Sequence, residues 1–450
     1  MSVSAVGFCD PTACVAAGCD AVVCTGKGVP SNDTLFERTT RAIPGGVNSS
    51  IRAFKAVGGR PYVVARGQGA HVYDVEGRRY IDLVQSYGAV ILGHAHPAIT
   101  RALTAAATDG TSFGAPTPRE MKLAEVISER VPSCERVRLM NSGTEATSTV
   151  VRLARGVTGR KRIIIFDGNF HGATDALLAA GGSGVATLGL PGTAGVPEEA
   201  VANTVVVPYN VVPEIDDTVA AVIVEPVAAN MGVVAPAPGF LEGLRAACDR
   251  VGALLVFDEV ITGFRLGLGG AQERLGVRPD LTCFGKVIGG GLPIGAVGGR
   301  RELMETLSPI GKVFHAGTLA GNPMATAAGL AALSLLTPDA YDEIEQRATR
   351  LARIIGDSMG DGTTVTRVGT LVGVHLGEKL SGRSPSNFDE ARTTDEPLFA
   401  RMFHALLANG VAMAPGAYEA LFVGLGHDDP VMDDLAERFV AAARSIATPD

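Results

Sequence analysis

Four short stretches of the chain hold residue types that could do chemistry. The sharpest is Phe284-Gly285-Lys286-Val287-Ile288-Gly289-Gly290-Gly291-Leu292-Pro293. Lys286 stands among glycines and apolar residues, just past a β-rich run. A solvated lysine, with a pKa of about 10.4, is a poor nucleophile at neutral pH. Desolvation lowers that pKa and frees an amine that can condense with an aldehyde. An exposed loop lysine is the other reading, and the apolar flanks argue against it. The second stretch is Leu254-Leu255-Val256-Phe257-Asp258-Glu259. An acid where a buried strand meets a crevice is costly unless paired. Asp258 could serve a pyridine nitrogen, which a carboxylate keeps protonated so that the ring accepts electrons; a structural ion pair would satisfy it equally. The third stretch, Asn141-Ser142-Gly143-Thr144-Glu145-Ala146, precedes a helical pattern through Val150, Val151 and Leu153. Backbone N–H groups and the helix dipole there suit a phosphate, with Ser142, Gly143 and Thr144 placed for it. An ordinary cap by Ser142 or Thr144 would leave the same pattern. The fourth, His315-Ala316-Gly317-Thr318-Leu319-Ala320-Gly321-Asn322-Pro323, opens an alanine-rich helix where Thr318 could cap or bind phosphate. His94 and His96 form an H-x-H pair without a nearby acidic ligand, which favours a structural role. No metal site is expected.

The elements that must position these residues follow from the apolar pattern. Helical segments alternate with β-rich runs at Arg136–Met140, Arg162–Phe166, Ala220–Val224, Ala253–Phe257, Leu281–Phe284 and Ala296–Gly298. Such alternation argues for an α/β fold with a mostly parallel sheet covered on both faces. Ligand residues then belong at the carboxyl ends of the strands. Ahead of this region the sequence predicts a helix from Asn32 to Ala42, a turn at Pro44-Gly45-Gly46, and short strands between Gly69 and Val84 that turn at Glu76-Gly77. Beyond about residue 325 the pattern becomes helical and then α+β. The expected division is a poorly ordered extension over 1–30, an arm and part of a small domain over 31–94, a large domain over 95–335 and a C-terminal small domain over 336–450.

Composition narrows the function classes. At 450 residues and 46% hydrophobic content the chain can bury two packed domains. A net charge of −8 without a basic run gives no reason to invoke nucleic acid. No apolar stretch is long enough to span a membrane. Asp10 and Asp20 interrupt any signal-peptide h-region, so a cytoplasmic location is expected. Cys134, Cys248 and Cys283 sit in apolar surroundings and read as core residues. Cys9, Cys14, Cys19 and Cys24 recur every five residues, a spacing that neither helix nor strand gathers on one side. A mobile tail with free thiols is the expected reading, and a loop around a metal or cluster the other.

The order of these features resembles the class III aminotransferases, pyridoxal 5′-phosphate (PLP) enzymes of fold type I. Within them it is similar to the aminomutase branch that converts glutamate-1-semialdehyde to 5-aminolevulinate. The resemblance runs from about Leu35 to the C-terminus. Its specific stretches are Ile43-Pro44-Gly45-Gly46-Val47-Asn48-Ser49, Leu92-Gly93-His94-Ala95-His96-Pro97, Thr111-Ser112-Phe113-Gly114-Ala115-Pro116, the Asn141 loop, and Gly285 to Gly291. It implies a large domain with a seven-stranded, mostly parallel sheet and a small α+β domain built from the arm and the C-terminal part. It implies that Lys286 holds the cofactor covalently and shuttles protons, and that Asp258 pairs with the pyridine nitrogen. Ser142, Gly143 and Thr144 would bind the phosphate. Thr318 would reach the phosphate of a neighbouring subunit, which implies a homodimer with sites at the interface. Phe170 would stack on the ring with His171 beside it, and Asn230 would lie near the phenolic oxygen. Ser49 and Arg52 would hold a substrate carboxylate, Tyr87 would border the substrate, and Glu419 would lie near the reacting amine.

Ala180-Gly181-Gly182-Ser183-Gly184-Val185-Ala186-Thr187-Leu188-Gly189 resembles the aminomutase gating loop, with Ser183 toward the substrate. In that branch the cofactor passes through its pyridoxamine form and a diamine must stay bound, so a closing loop that excludes water has a clear purpose. The sequence also departs from the branch. Ser86-Tyr87-Gly88-Ala89 stands where Ser-Trp-Gly-Pro is usual, and Asn169-Phe170-His171-Gly172-Ala173 where Cys-Tyr-His-Gly-His is usual. Phe314-His315 replaces Tyr-Gln, and Ala320 replaces Ser. Removing a hydrogen-bonding group from such a site can change selectivity by orders of magnitude. The alternatives are therefore a transaminase from the same family acting on another amino acid or aldehyde, and a catalytically silent binding protein. Retention of Lys286 and Asp258 opposes the last.

Overall fold

The large sheet is built from strands whose residues alternate between two apolar layers. The computed structural model describes residues 30–179, 193–380 and 382–447. Ser183 with its loop, and Cys9, Cys14, Cys19 and Cys24, lie outside the described residues. The central strands are β4 (Arg136–Met140), β5 (Arg162–Phe166), β6 (Thr204–Val207), β7 (Val219–Val224), β8 (Leu254–Glu259), β9 (Leu281–Gly285) and β10 (Gly295–Gly299). Their order is β4-β10-β9-β8-β7-β5-β6. All neighbours are parallel except β10, which runs antiparallel to both β4 and β9. Every residue of β7, β8 and β9 is buried, as expected of strands covered on both faces. Ile164, Phe166, Val222, Val224, Leu255 and Phe257 pack into the layer of the helix Phe240–Val251. Their neighbours Ile163, Ile165, Ala221, Ile223, Leu254 and Val256 pack under the helix Gly143–Thr158. That period of two fixes which strand-end residues face the crevice.

Two smaller sheets complete the fold. Strands β1 (Val64–Gln68), β2 (His71–Asp74) and β3 (Arg79–Asp82) form an antiparallel meander. The turn between β2 and β3 is held by the Asp74 carboxylate, which accepts the N–H groups of Glu76 and Arg78. The short strand β13 (Val411–Ala412) joins β3 in parallel, pairing Val411 with Ile81, so N-terminal and C-terminal segments share one sheet. Strands β11 (Thr363–Val368), β12 (Leu371–Leu376) and β14 (Leu421–Phe422) form the third sheet.

The six expected strands are all present, with ends shifted by up to two residues, and the arm helix spans Asn32–Ala42 as expected. In the first half of the chain two strands had no counterpart in the sequence reading. β6 is a short half-buried edge strand whose valines pack alternately on the two core layers, and β1 begins five residues before Gly69. His94 and His96 act structurally: His94 Nε2 meets Asp82 Oδ2 at 2.6 Å, and His96 Nδ1 caps the helix Pro97–Asp109 at the N–H of Ala98. Cys134, Cys248 and Cys283 are buried in the core.

Candidate active site

Lys286 is the first residue after β9 and takes a left-handed conformation, φ 48°. That turn carries its side chain into a cavity of about 390 Å³ at the carboxyl ends of the parallel strands. Burial pulls its pKa below the ordinary lysine value. Asp258, Glu225 and Glu419 pull it back up, and Arg265 lowers it further. The net direction favours a neutral amine, which is the form that attacks an aldehyde.

Asp258 lies on β8, the next strand, and is 4% exposed. Its Oδ1 accepts the N–H of Val260 at 3.1 Å, and its Oδ2 meets His171 Nδ1 at 2.8 Å. No lysine or arginine pairs with it among the described residues, so the structural ion pair considered for this acid is limited to His171. His171 is itself buried and anchored further by its carbonyl, which accepts from Thr147 Oγ1 at 2.6 Å. Its Nε2 is buried without a hydrogen-bond partner. A buried imidazole nitrogen calls for a partner, and the place of His171 on the cavity wall lets a bound group supply one.

The third wall is the start of the helix Gly143–Thr158. Ser142 is its N-cap, accepting the N–H of Glu145 at 3.2 Å, so the capping alternative holds for this residue. Capping does not use the first N–H groups, those of Gly143 and Thr144, which have no intrahelical acceptor and border the cavity. Thr144 Oγ1 accepts the N–H of Ala173 at 3.2 Å, tying this helix start to the segment that carries Phe170 and His171.

Glu225 also lines the cavity, a residue the sequence reading passed over. It follows β7 directly, as Asp258 follows Phe257, the β8 residue that pairs with Val224, so the same strand-end argument would have found it. Its Oε1 accepts the Phe170 N–H at 2.7 Å and Asn230 Nδ2 at 2.8 Å, and its Oε2 accepts the Ala229 N–H at 3.0 Å. Its own N–H donates to Asn169 Oδ1. One carboxylate thus sets Phe170, whose ring is 38% exposed, and Asn230, on two different loops.

The expected substrate residues lie to one side. A second cavity of about 470 Å³ adjoins the first, with Ser86 lining both, and contains Arg52 and Tyr87. Ser49 precedes the short 3-10 turn Ser50–Ala53 that bears Arg52. Burial raises the Tyr87 phenol above its ordinary pKa, Glu419 adds to that, and Arg52 opposes it. Glu419 therefore acts on Lys286 and Tyr87 alike. Thr318 is exposed in the loop before the helix Pro323–Leu335, outside this cavity.

These residues fit the cofactor that the sequence implies. The cavity offers an amine of lowered pKa for an aldehyde and an acid for a ring nitrogen. It also offers a helix N-terminus for a phosphate and an unpartnered imidazole nitrogen at its wall.

Comparison with known proteins gives the same answer. The family model for class-III aminotransferases matches residues 54–422. A glutamate-1-semialdehyde 2,1-aminomutase from Bordetella avium (strain 197N) is 49% identical over 422 residues, covering 91% of this chain and 98% of the other. An omega-transaminase from Sphaerobacter thermophilus superposes with a TM-score of 0.84 at 33% identity, covering 94% of this chain and 99% of that one. A glutamate-1-semialdehyde-aminomutase variant from Pseudomonas aeruginosa PAO1 in complex with PMP superposes with a TM-score of 0.81 at 25% identity, covering 92% and 94%. The chain belongs to the class-III aminotransferase family.

Proposed function

We propose that the protein is a PLP-dependent aminomutase that converts glutamate-1-semialdehyde to 5-aminolevulinate. The observation that carries this is the 49% identity, along nearly the whole chain, to an enzyme of that name. The cavity supports it by holding Lys286 and Asp258 beside a helix N-terminus.

When bound, the cofactor would supply an electrophilic aldehyde and an electron-accepting ring, the chemistry that amino-group transfer needs. The residues around it have separable tasks. Lys286, whose pKa burial lowers, would hold the cofactor and move protons at the substrate carbons. Asp258 would keep the ring nitrogen protonated, and His171 fixes its carboxylate through Nδ1. Gly143 and Thr144 bind the phosphate through the helix N-terminus, with Ser142 beside them. Phe170 would stack on the ring and Asn230 would meet the phenolic oxygen; Glu225 holds the Phe170 backbone and the Asn230 side chain in place. Ser49 and Arg52 would take the substrate carboxylate, with Tyr87 bordering the substrate and Glu419 near the reacting amine. Thr318 completes the phosphate site of a second copy in a homodimer. The exposed apolar side chains of Ile310, Phe314 and Leu319 around it are the kind of surface a partner covers. The enzyme works in the cytoplasm.

A transaminase acting on another amino acid or aldehyde is the second reading. Tyr87 and Phe170 favour it, because both departures from the aminomutase pattern fall on the walls of the two cavities. One experiment separates the two. Cofactor-loaded protein receives glutamate-1-semialdehyde with no other amine or keto acid, beside a Lys286→Ala control. Lysine-dependent 5-aminolevulinate over many turnovers is the expected result. No product from an enzyme that still exchanges amines between other substrates would establish the transaminase instead.

A further inference from the structure

Arg265 is the largest fully buried side chain of the described residues, at 0% exposure. No carboxylate pairs with it among those residues. Its guanidinium instead donates to two carbonyls, Gly88 O at 2.8 Å and Val423 O at 3.1 Å, and lies 5.2 Å from the centre of the Phe422 ring. Burying a cation without a counter-charge is costly, and burial here pushes the guanidinium down to about 10. Such a residue persists in a core when its geometry is needed, so the two carbonyls identify its task.

Gly88 closes an unusual segment. Gln85, Ser86, Tyr87 and Gly88 all have left-handed backbones, with φ of 46°, 52°, 56° and 92°. Three of these are not glycine, and each costs of order 1 kcal/mol or more in that region. The entry to the turn is held by Asp82 Oδ1, which accepts the N–H groups of Val84 and Gln85 at 2.8 and 3.2 Å. The exit is held by Arg265 at the Gly88 carbonyl and by Phe422, against which a Cβ at residue 88 would come within 2.7 Å. Arg265 is anchored in turn, its carbonyl accepting from Thr370 Oγ1 at 2.9 Å. The turn displays Ser86 to both cavities and Tyr87 to the second.

We propose that Arg265 is a positioning residue: its guanidinium fork clamps the left-handed turn Gln85–Gly88 to the chain at Phe422–Val423, and so fixes Ser86 and Tyr87 where the two cavities meet. The fork is the essential feature, because one rigid planar group holds two carbonyls on separate segments at fixed angles, whereas a lysine ammonium, with its three donors on one nitrogen at the end of a flexible stem, holds them less firmly. The kinetic half of the test rests on the proposed substrate; the exchange half does not.

The test compares cofactor-loaded wild type, Arg265→Lys and Arg265→Met. Amide hydrogen exchange over residues 83–90 should quicken about tenfold in Arg265→Met and by less in Arg265→Lys, while the helix Gly143–Thr158 keeps its protection. KM for glutamate-1-semialdehyde should rise about tenfold with kcat within about threefold, since binding geometry is disturbed and the chemical groups remain. If Arg265→Met fails to fold, Arg265→Lys carries the test. Unchanged exchange over 83–90 in a folded variant overturns the proposal. So does faster exchange throughout the protein, or a fall in kcat at constant KM. A wild type that does not turn over this substrate would remove the proposed function and leave the exchange result to decide Arg265.

Discussion

Glu225 accepts three hydrogen bonds in a site that resists its charge, and burial pushes it up to about 7, with Asp258 adding to the rise and His171 opposing it. The ordinary value is 4.5, so the folded protein holds this proton across a window in which the unfolded chain has released it. The group's stabilising contribution is complete below 4.5 and is lost as pH rises to about 7, for a total of roughly 3 kcal/mol. Urea midpoints of the cofactor-free protein should show this when wild type is compared with Glu225→Gln: the difference shrinks as pH climbs through the window and is flat above it. Parallel curves would mean that Glu225 folds already ionised. Asp258 makes a different prediction, because its partner His171 depends on it. Asp258→Ala should still take up some PLP, by absorbance, yet form product roughly 100-fold or more slowly, since the ring loses its protonating partner. Wild-type turnover would mean that another acid serves the ring.

At the scale of elements, the site depends on how closely β10 approaches the start of the helix Gly143–Thr158. Gly295 pairs with Met140 on β4, and a Cβ at residue 295 would fall 2.1 Å from the Ser142 carbonyl oxygen. Backbone cannot yield as a flexible side chain can, so Gly295→Ala must push the helix N-terminus away. The expected result is a loss of roughly 1–3 kcal/mol in thermal stability and PLP binding weakened about tenfold in an absorbance titration. The same region also shows what the sequence could disclose. Strands Arg136–Met140 and Arg162–Phe166 were legible to the residue, because each apolar run stops at a polar turn. The reversal of β10 was not, since strand direction in a sheet is set by pairing with residues far along the chain. Thr204–Val207 escaped because its apolar run, Val205 to Val207, is too short for its period to mark it as a strand. In the site, Lys286 and Asp258 stood out by residue type at a strand end. The link from Asn230 and Phe170 through Glu225 needed coordinates, because it joins loops some 55 residues apart.

At the scale of the molecule, the two adjoining cavities draw on chain that begins at Phe36 and ends at Pro415, gathered by the pairing of β3 with β13 and by the packing beneath the large sheet. Yet one proposed phosphate ligand, Thr318, lies outside the cavity of its own chain. It stands in a loop with Ile310 at 75% exposure, Phe314 at 68% and Leu319 at 50%. Apolar side chains that open to water in one short segment are costly unless something covers them. A second copy would cover them and bring Thr318 to the site it completes, so assembly and cofactor affinity should fail together. Light scattering should give wild type twice the mass of one chain. Replacing Phe314 and Leu319 together with glutamate should give a monomer that binds PLP about tenfold more weakly or worse, because the phosphate loses a hydrogen-bond donor. Thr318→Val should weaken PLP to a similar degree while leaving the dimer intact, which separates the missing ligand from the missing interface. A monomeric variant with undiminished PLP affinity would show instead that each chain completes its phosphate site alone.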